Sequence, residues 1–208
     1  MTLKNISIPL HTLENSYTYD EYLEGLENMF SDNGVAAENV IEYSEEQLRE
    51  YTKLNLTRMH RYDKTTALSE EVRKAAQGLN KDYIWVLITE GWCGDASHCV
   101  PIIAEIAGVT PAVDLKLVLR DQHPKTMDMF LTDGKRSIPK LAIMTADTHE
   151  VVAVWGSRPQ ELQDLIPQYK IDAADDKTAF QTMVQKWYNK DKGKSLMKEM
   201  TALLSELE

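Results

Sequence analysis

The stretch that decides the fold is Thr89-Glu90-Gly91-Trp92-Cys93-Gly94-Asp95-Ala96-Ser97-His98-Cys99-Val100-Pro101. Residues 83–88 before it form a short, partly β-branched apolar run, which predicts a buried strand. Residues 100–107 after it predict a helix. A strand that enters a helix through a tight glycine-containing turn leaves Cys93 exposed at the helix N-terminus. Unpaired amide groups and the helix dipole favour a thiolate there, so the sequence predicts a reactive cysteine.

Three motifs around and after this turn share an order and spacing with a known family. Trp92-Cys93-Gly94 lies at the turn, and Pro101 follows the cysteine by eight residues. Further along, Asp121-Gln122-His123-Pro124 follows a predicted strand, and Ser137-Ile138-Pro139 precedes the apolar run 141–144. Together these motifs resemble the thioredoxin superfamily across roughly residues 69–169. The resemblance implies a cis proline at Pro139 that faces Cys93.

The resemblance also implies a set of site residues. Cys93 would be the catalytic nucleophile, and the substrate-binding residues would be Trp92, Gly94, Asp95, Ile138 and Pro139. Trp92 would shield the thiol, and the backbone of Ile138 would pair with an extended substrate. The chain departs from the family pattern in two respects that affect chemistry. Ala96 stands where the second cysteine is usual, and Leu87 stands where many members place a buried acid.

Three functions fit this stretch, two that use Cys93 as a reactive thiol and one in which Cys93 is an inert remnant on a fold kept for binding. The first is thiol–disulfide exchange in which Cys93 attacks a protein or small-molecule disulfide, and glutathione or another small thiol completes the cycle. The second is a non-catalytic module that binds a partner peptide in the cis-proline groove. The third is a peroxide sensor in which Cys93 passes through a sulfenic acid. No cofactor is expected for any of them.

The remaining polar residues near the turn are expected to have structural roles. Asp95 is as suited to an N-terminal helix charge as to catalysis, and its charge opposes a neighbouring thiolate. Cys99 lies six residues after Cys93, too far along one helix for a disulfide, and is expected in the core. No metal site is expected from His98 and the two cysteines, because further ligands at suitable spacing are missing. Arg120, His123 and Arg158 could lie near the carboxyl ends of strands, where ligands bind open α/β sheets, but the solvated surface is the favoured expectation for each.

Composition limits the class of protein. The chain has 208 residues, 43% of them hydrophobic, and a net charge of -10. This charge argues against nucleic acid as the main partner. No apolar run is long enough for a membrane span, and the N-terminus lacks the features of a secretory signal. Two cysteines fit a reducing compartment, so a cytoplasmic protein is expected.

The predicted fold class is α/β, a thioredoxin-like mixed sheet of about four strands with helices on both faces. Residues 1–208 are expected to form a single domain, with a core at 69–170 and helical extensions at 16–62 and 175–207. Residues 1–15 are expected to be an irregular arm. The predicted strands are 83–89, 113–119, 140–145 and 151–155, and the predicted core helices are 93–107, 124–131 and 159–169. The apolar stripe after Gly193 fits either packing on the core or a dimer contact, and the oligomeric state stays open.

Overall fold

The structure is a computed structural model that describes residues 6–31 and 44–207. Residues 32–43, which belong to the expected extension 16–62, lie outside the described residues. The strands are β1 (Tyr83–Thr89), β2 (Val113–Leu119), β3 (Lys140–Thr145) and β4 (Val151–Gly156). The helices in the described ranges are α1 (Leu10–Glu14), α2 (Tyr19–Ser31), α3 (Glu45–Thr65), α4 (Glu70–Gln77), α5 (Ala96–Gly108), α6 (Pro124–Met127), α7 (Gln160–Ala173), α8 (Lys177–Asp191) and α9 (Lys194–Ser205).

The four strands form one mixed sheet in the order β2-β1-β3-β4. β1 pairs with β2 in parallel and with β3 antiparallel, and β3 pairs antiparallel with β4. β1 is a nearly continuous apolar run because both of its faces are covered, and Trp85 to Ile88 are fully buried. The predicted fold class, a mixed sheet with surrounding helices and additional terminal helices, is confirmed.

The two helices that directly precede β1 begin where local sequence favours a cap. Ser44 and Gln47 form a reciprocal capping box that starts α3, and the Ser69 side chain accepts a hydrogen bond from the Val72 amide at the start of α4. Both caps satisfy amide groups that have no partner within the helix. The capping therefore fixes where the chain enters α3, a helix that forms one wall of the site.

Several predicted boundaries differ from the structure. The helix predicted at 93–107 begins only at Ala96, so Cys93 lies in the preceding turn. The helix predicted at 124–131 is a single turn that ends at Met127. The expected irregular arm contains α1, whose Thr12 hydroxyl is buried and hydrogen-bonded to the Thr126 hydroxyl at 2.9 Å. That long-range bond ties the arm to the body of the protein.

The flanking helices contribute to the same apolar cluster as the sheet. From the N-terminal side, Leu26 and Met59 are buried in it, and from the C-terminal side Trp187 and Met200 are buried in it. α3 packs on α5, α9 packs on α4, and α8 packs on α7. The stripe of α9 is therefore covered by α4 of the same chain. Among the described residues, no helix combines the length and the apolar character needed to cross a bilayer.

Candidate functional site

A cavity of about 360 Å³ opens beside the turn between β1 and α5. Its walls come from α3, from α8, from the turn itself and the start of α5, and from the segments that follow β2, precede β3 and follow β4. Tyr51 and Leu54 of α3 and Phe180 and Val184 of α8 supply apolar surface. Cys93 lines the cavity, whereas Cys99 does not. One of the two thiols can therefore meet a small molecule held in this space.

Cys93 is buried and its thiol is hydrogen-bonded. Its residue exposure is 8%, and the S–H group donates to the Ile138 carbonyl over 3.4 Å. The Cys93 amide donates to the Glu90 carbonyl, and the Cys93 carbonyl accepts from the Ser97 amide. These bonds hold the turn in place and aim the sulfur toward the segment that precedes β3. A thiol that donates to a carbonyl is held in its neutral form.

The pKa of Cys93 is raised to about 12, contrary to the prediction of a favoured thiolate. Burial is the largest cause, because it removes water from the charged form, and the Asp95 carboxylate is the second. The amides of Ala96 and Asp95 and the Arg158 guanidinium act in the opposite direction. The helix N-terminus therefore does lower the pKa of Cys93 as predicted, but burial outweighs it.

Asp95 occupies the N-cap position of α5 without forming a side-chain cap bond. One carboxylate oxygen forms an ion pair with Arg158 at 2.6 Å, and the other accepts a hydrogen bond from the Tyr188 hydroxyl at 2.9 Å. Since the hydroxyl proton of Tyr188 is directed at Asp95, the Cys99 thiol, 3.8 Å from that oxygen, is the donor of their contact. Asp95 thus connects the turn to α8 and to the start of α7.

The structure brings most of the predicted substrate-binding residues together. Trp92, Gly94, Asp95 and Ile138 line the cavity with Cys93. Pro139 is buried and does not line it. The Ile138–Pro139 peptide bond is cis, the isomer that the resemblance implies. Four of the five predicted substrate-binding residues therefore line the same cavity as Cys93, and Pro139 is buried next to Ile138 without lining it.

The expectation that Arg120, His123 and Arg158 lie mainly at the solvated surface is wrong. Arg120 and Arg158 line the cavity, with side-chain exposures of 18% and 24%. Arg120 stacks on the Trp92 ring at 4.7 Å from its centroid. His123 is buried away from the cavity, and burial lowers its pKa. The position of each residue depends on a partner distant in sequence or on burial, and a local sequence pattern shows neither.

His98 and Cys99 have structural partners. His98 stacks on Tyr188 at 4.2 Å, and its two ring nitrogens lie 3.1 Å from the Tyr62 hydroxyl and the Gln185 amide oxygen. Burial lowers the pKa of His98 to about 3, so the ring is neutral. Cys99 is in the core, as predicted, and both cysteines are free thiols. In the part of the chain that the structure describes, no three His, Cys, Asp or Glu side chains form a metal-binding group.

Sequence reasoning missed two polar residues that shape the turn. Glu90 is buried at the end of β1, where its carboxylate accepts the Asp121 amide at 2.9 Å. Asn55 is buried on α3, where its side-chain amide donates to the Gly91 carbonyl at 2.9 Å. Both had a sequence signature. Glu90 directly follows an apolar strand, and Asn55 interrupts the apolar stripe of α3.

Comparisons with known proteins support the fold. A sequence-family model described as thioredoxin matches residues 41–174. No curated protein is significantly similar in sequence. Among solved structures, a protein of unknown function from Pseudomonas aeruginosa shares 13% identity over 90% of this chain and 99% of its own, with a TM-score of 0.51. An HIV epitope-scaffold shares 12% identity over 88% of this chain and 97% of its own, with a TM-score of 0.49. The family match spans more than half of the residues, and the chain therefore belongs to the thioredoxin family.

Proposed function

We propose that the protein performs thiol–disulfide exchange through Cys93 alone, with an external thiol completing the reaction. The supporting observation is the position of Cys93 as the cavity's thiol, with Ala96 in place of a second cysteine and Cys99 in the core. The substrates proposed are protein or small-molecule thiols and disulfides. Because free cysteines persist in reducing compartments, we place the activity in the cytoplasm.

The proposed reaction has two balanced steps. The Cys93 thiol loses its proton to solvent, and the thiolate attacks one sulfur of a disulfide. A mixed disulfide forms on Cys93 and one substrate thiolate departs. A second, external thiolate then attacks the substrate sulfur of that mixed disulfide, which restores the Cys93 thiolate and releases a new disulfide. In this scheme Trp92, Gly94, Asp95 and Ile138 form the walls that hold the substrate.

The raised pKa of Cys93 has a kinetic consequence. Near neutral pH only a minute fraction of Cys93 is thiolate, so exchange is slow and accelerates as the pH rises. The rate of mixed-disulfide formation is expected to increase about tenfold per pH unit well below the pKa of Cys93.

Intact-mass spectrometry tests the proposal directly. The folded protein is incubated with a neutral small disulfide, such as bis(hydroxyethyl) disulfide, between about pH 7 and pH 10. We expect one adduct, located on Cys93, that glutathione removes. Cys93→Ser should give no adduct under the same conditions, and Cys99→Ala should still give it. An unmodified Cys93 across this range, or an equal adduct on Cys93→Ser, would contradict the proposal.

The second candidate is the non-catalytic binding module. It is favoured by one observation, the neutral Cys93 thiol hydrogen-bonded to the Ile138 carbonyl, because such a thiol is a poor nucleophile. The module predicts that Cys93→Ser retains full affinity for whatever ligand the cavity binds. The module also predicts that unaltered Cys93 forms no adduct with a small disulfide, whereas thiol–disulfide exchange requires one.

A further inference from the structure

The cavity concentrates positive charge in an acidic protein. The whole chain has a net charge of -10, yet five cationic side chains line the cavity. Among the described residues, Asp95 is the single carboxylate that lines it. The cationic residues are Arg58, Arg120, Arg136, Arg158 and Lys177. A concave site with one sign of charge attracts small ligands of the opposite sign.

Three of the four arginines already have an anionic partner. Each forms an ion pair with a carboxylate at 2.6–2.8 Å, and the pairs are Arg120 with Asp121, Arg136 with Asp128 and Arg158 with Asp95. Arg58 differs, since its hydrogen-bond acceptor is a neutral amide oxygen. Within the described ranges, none of the ion pairs includes Arg58.

Hydrogen bonds hold Arg58 in position relative to the turn that carries Cys93. It is half-buried on α3, and its Nη1 donates to the Asn55 side-chain oxygen over 2.9 Å. The Asn55 side-chain nitrogen in turn donates to the carbonyl of Gly91, two residues before Cys93. Burial and the neighbouring Arg61 both lower the pKa of Arg58. A partly desolvated guanidinium without a carboxylate partner gains from an anion that enters the cavity.

We propose that Arg58 binds an anionic group, such as a carboxylate, of the small disulfide or thiol that reacts at Cys93. This inference rests on the proposed exchange reaction and names its substrate class. The apolar wall formed by Leu54, Phe180 and Val184 fits the uncharged part of such a molecule. The guanidinium presents several N–H donors in a planar fork, which matches the two-oxygen geometry of a carboxylate.

The test compares an anionic disulfide with a neutral one. Dithiobis-nitrobenzoate carries two carboxylates and dithiodipyridine carries none near pH 9, and both release a coloured thiol when Cys93 attacks. The measured quantity is the second-order rate constant for dithiobis-nitrobenzoate divided by that for dithiodipyridine, determined in the folded full-length protein. Arg58→Gln should lower this ratio about tenfold, because hydrogen bonds to charged groups typically contribute that much to binding. The rate measured with Cys93→Ser gives the contribution of Cys99, which is subtracted.

Arg61→Gln is the matched control. It removes the same charge from the same helix, and Arg61 does not line the cavity. We expect this variant to keep the ratio of the unaltered protein within about twofold, as for a screened surface charge. Circular dichroism of both variants checks that the fold is intact. An equal fall of the ratio in Arg61→Gln and Arg58→Gln, or no fall in Arg58→Gln, would overturn the assignment.

A second pair of probes separates this inference from the exchange reaction. Iodoacetate and iodoacetamide alkylate a thiol without disulfide chemistry and differ by one negative charge. If neither disulfide reacts at Cys93 but Arg58→Gln still lowers the iodoacetate-to-iodoacetamide rate ratio, the anion site stands and the exchange proposal fails. If both disulfides react and neither ratio changes in Arg58→Gln, the exchange proposal stands and the anion site fails.

Discussion

Asp95 acts on the Cys93 thiol through its charge. The carboxylate is the second largest cause of the raised pKa of Cys93, after burial, and Arg158 opposes it. Arg158 pairs with Asp95 at 2.6 Å, so the two charges partly offset each other at the sulfur. The reactivity of Cys93 therefore depends on this ion pair as well as on how deeply the thiol is buried.

We predict that Asp95→Asn lowers the pKa of Cys93 by about one unit, because it removes a nearby negative charge and leaves the Arg158 guanidinium in place. The pH dependence of iodoacetamide alkylation measures this pKa. At about pH 8 the alkylation rate should rise by roughly tenfold. Asp164→Asn, an exposed substitution on α7, should leave the profile unchanged. An unaltered profile in Asp95→Asn would show that burial alone sets the pKa.

Glu90 is a buried acid whose ionisation weakens the fold. Burial is the main cause that raises its pKa to about 7, with the Asp121 carboxylate adding to it, and the Asp121 amide and Arg120 opposing. In the unfolded chain this carboxyl ionises near its ordinary value of 4.5. Between these values the folded state binds more protons, so the free energy of unfolding falls as the pH rises through this window.

We predict that Glu90→Gln removes this loss of stability. The wild-type protein should lose up to about 3 kcal/mol of unfolding free energy from this group between pH 5 and pH 8, and the variant should not. Urea titrations of both proteins at the two pH values give the difference, in which the contributions of other titrating groups cancel. The exposed substitution Glu24→Gln serves as the control. Parallel pH slopes in wild type and Glu90→Gln would disprove the assignment.

The start of α5 determines what one cysteine can do. Ala96, the first residue of the helix, is fully buried and occupies the place from which a second thiol would release a mixed disulfide. Without that thiol, a protein disulfide that reacts with Cys93 remains attached until an external thiol arrives. The protein is therefore expected to be a weak general disulfide reductase.

We predict that Ala96→Cys frees the substrate cysteine that is still bound in the mixed disulfide at least about tenfold faster than the wild type does, since attack within one molecule has a high effective concentration. The reduced protein is mixed with an equal amount of a protein disulfide such as insulin, without any added thiol, and free substrate thiols are counted. The Ala96→Cys variant should end with a disulfide between Cys93 and the introduced cysteine, whereas wild type and Ala96→Ser should stop at the mixed disulfide. Complete substrate reduction by the wild type would contradict this scheme.

The junction between α8 and α9 depends on one glycine. Gly193 adopts a positive φ of 80°, and a Cβ atom at this position would collide with the Ile102 side chain of α5. The turn therefore needs glycine both for its backbone conformation and for the close approach of α5.

We predict that Gly193→Ala lowers the free energy of unfolding by about 1–2 kcal/mol from the backbone conformation alone, with a further loss from the contact with Ile102. Gly25→Ala is the control, for which we expect a change of stability in the opposite direction. Gly25 lies inside α2, and a Cβ atom added there would have no neighbouring atom within 4 Å, so alanine should stabilise by about 0.5–1 kcal/mol. Thermal and urea denaturation measure both. Equal stabilities of the two variants would exclude this role for Gly193.

Across the whole molecule, the sheet was predictable and the cavity was not. β1 and β3 appear in the sequence because buried strands form continuous apolar runs, and the Cys93 turn appears through its glycines. Two walls of the cavity come from α3 and α8, which lie far from Cys93 in sequence and meet it only through packing. The prediction for the pKa of Cys93 failed for the same reason. A sequence shows a helix start, but not how deeply the turn before it is buried.

The C-terminal tail joins the sheet through both apolar and polar contacts. Leu196, Met200 and Leu204 of α9 are buried in the apolar cluster that also contains the sheet. In addition, the Trp155 indole donates to the Glu199 carboxylate at 2.6 Å, and the Tyr83 hydroxyl donates to a carbonyl near the chain end. These contacts motivate the proposal that the core and its extensions unfold as one unit.

We predict that deletion of residues 175–208 lowers the melting temperature by more than about 10 °C and exposes hydrophobic surface, because each large buried side chain contributes about 1.5–3 kcal/mol. A milder pair tests the same point in the full chain. Met200→Ala should cost about 2–5 kcal/mol, whereas the exposed Lys198→Ala should cost little. Calorimetry and binding of a hydrophobic dye measure both effects. If the truncated chain melts at the temperature of the full protein, the tail is an independent appendage and the single-domain proposal fails.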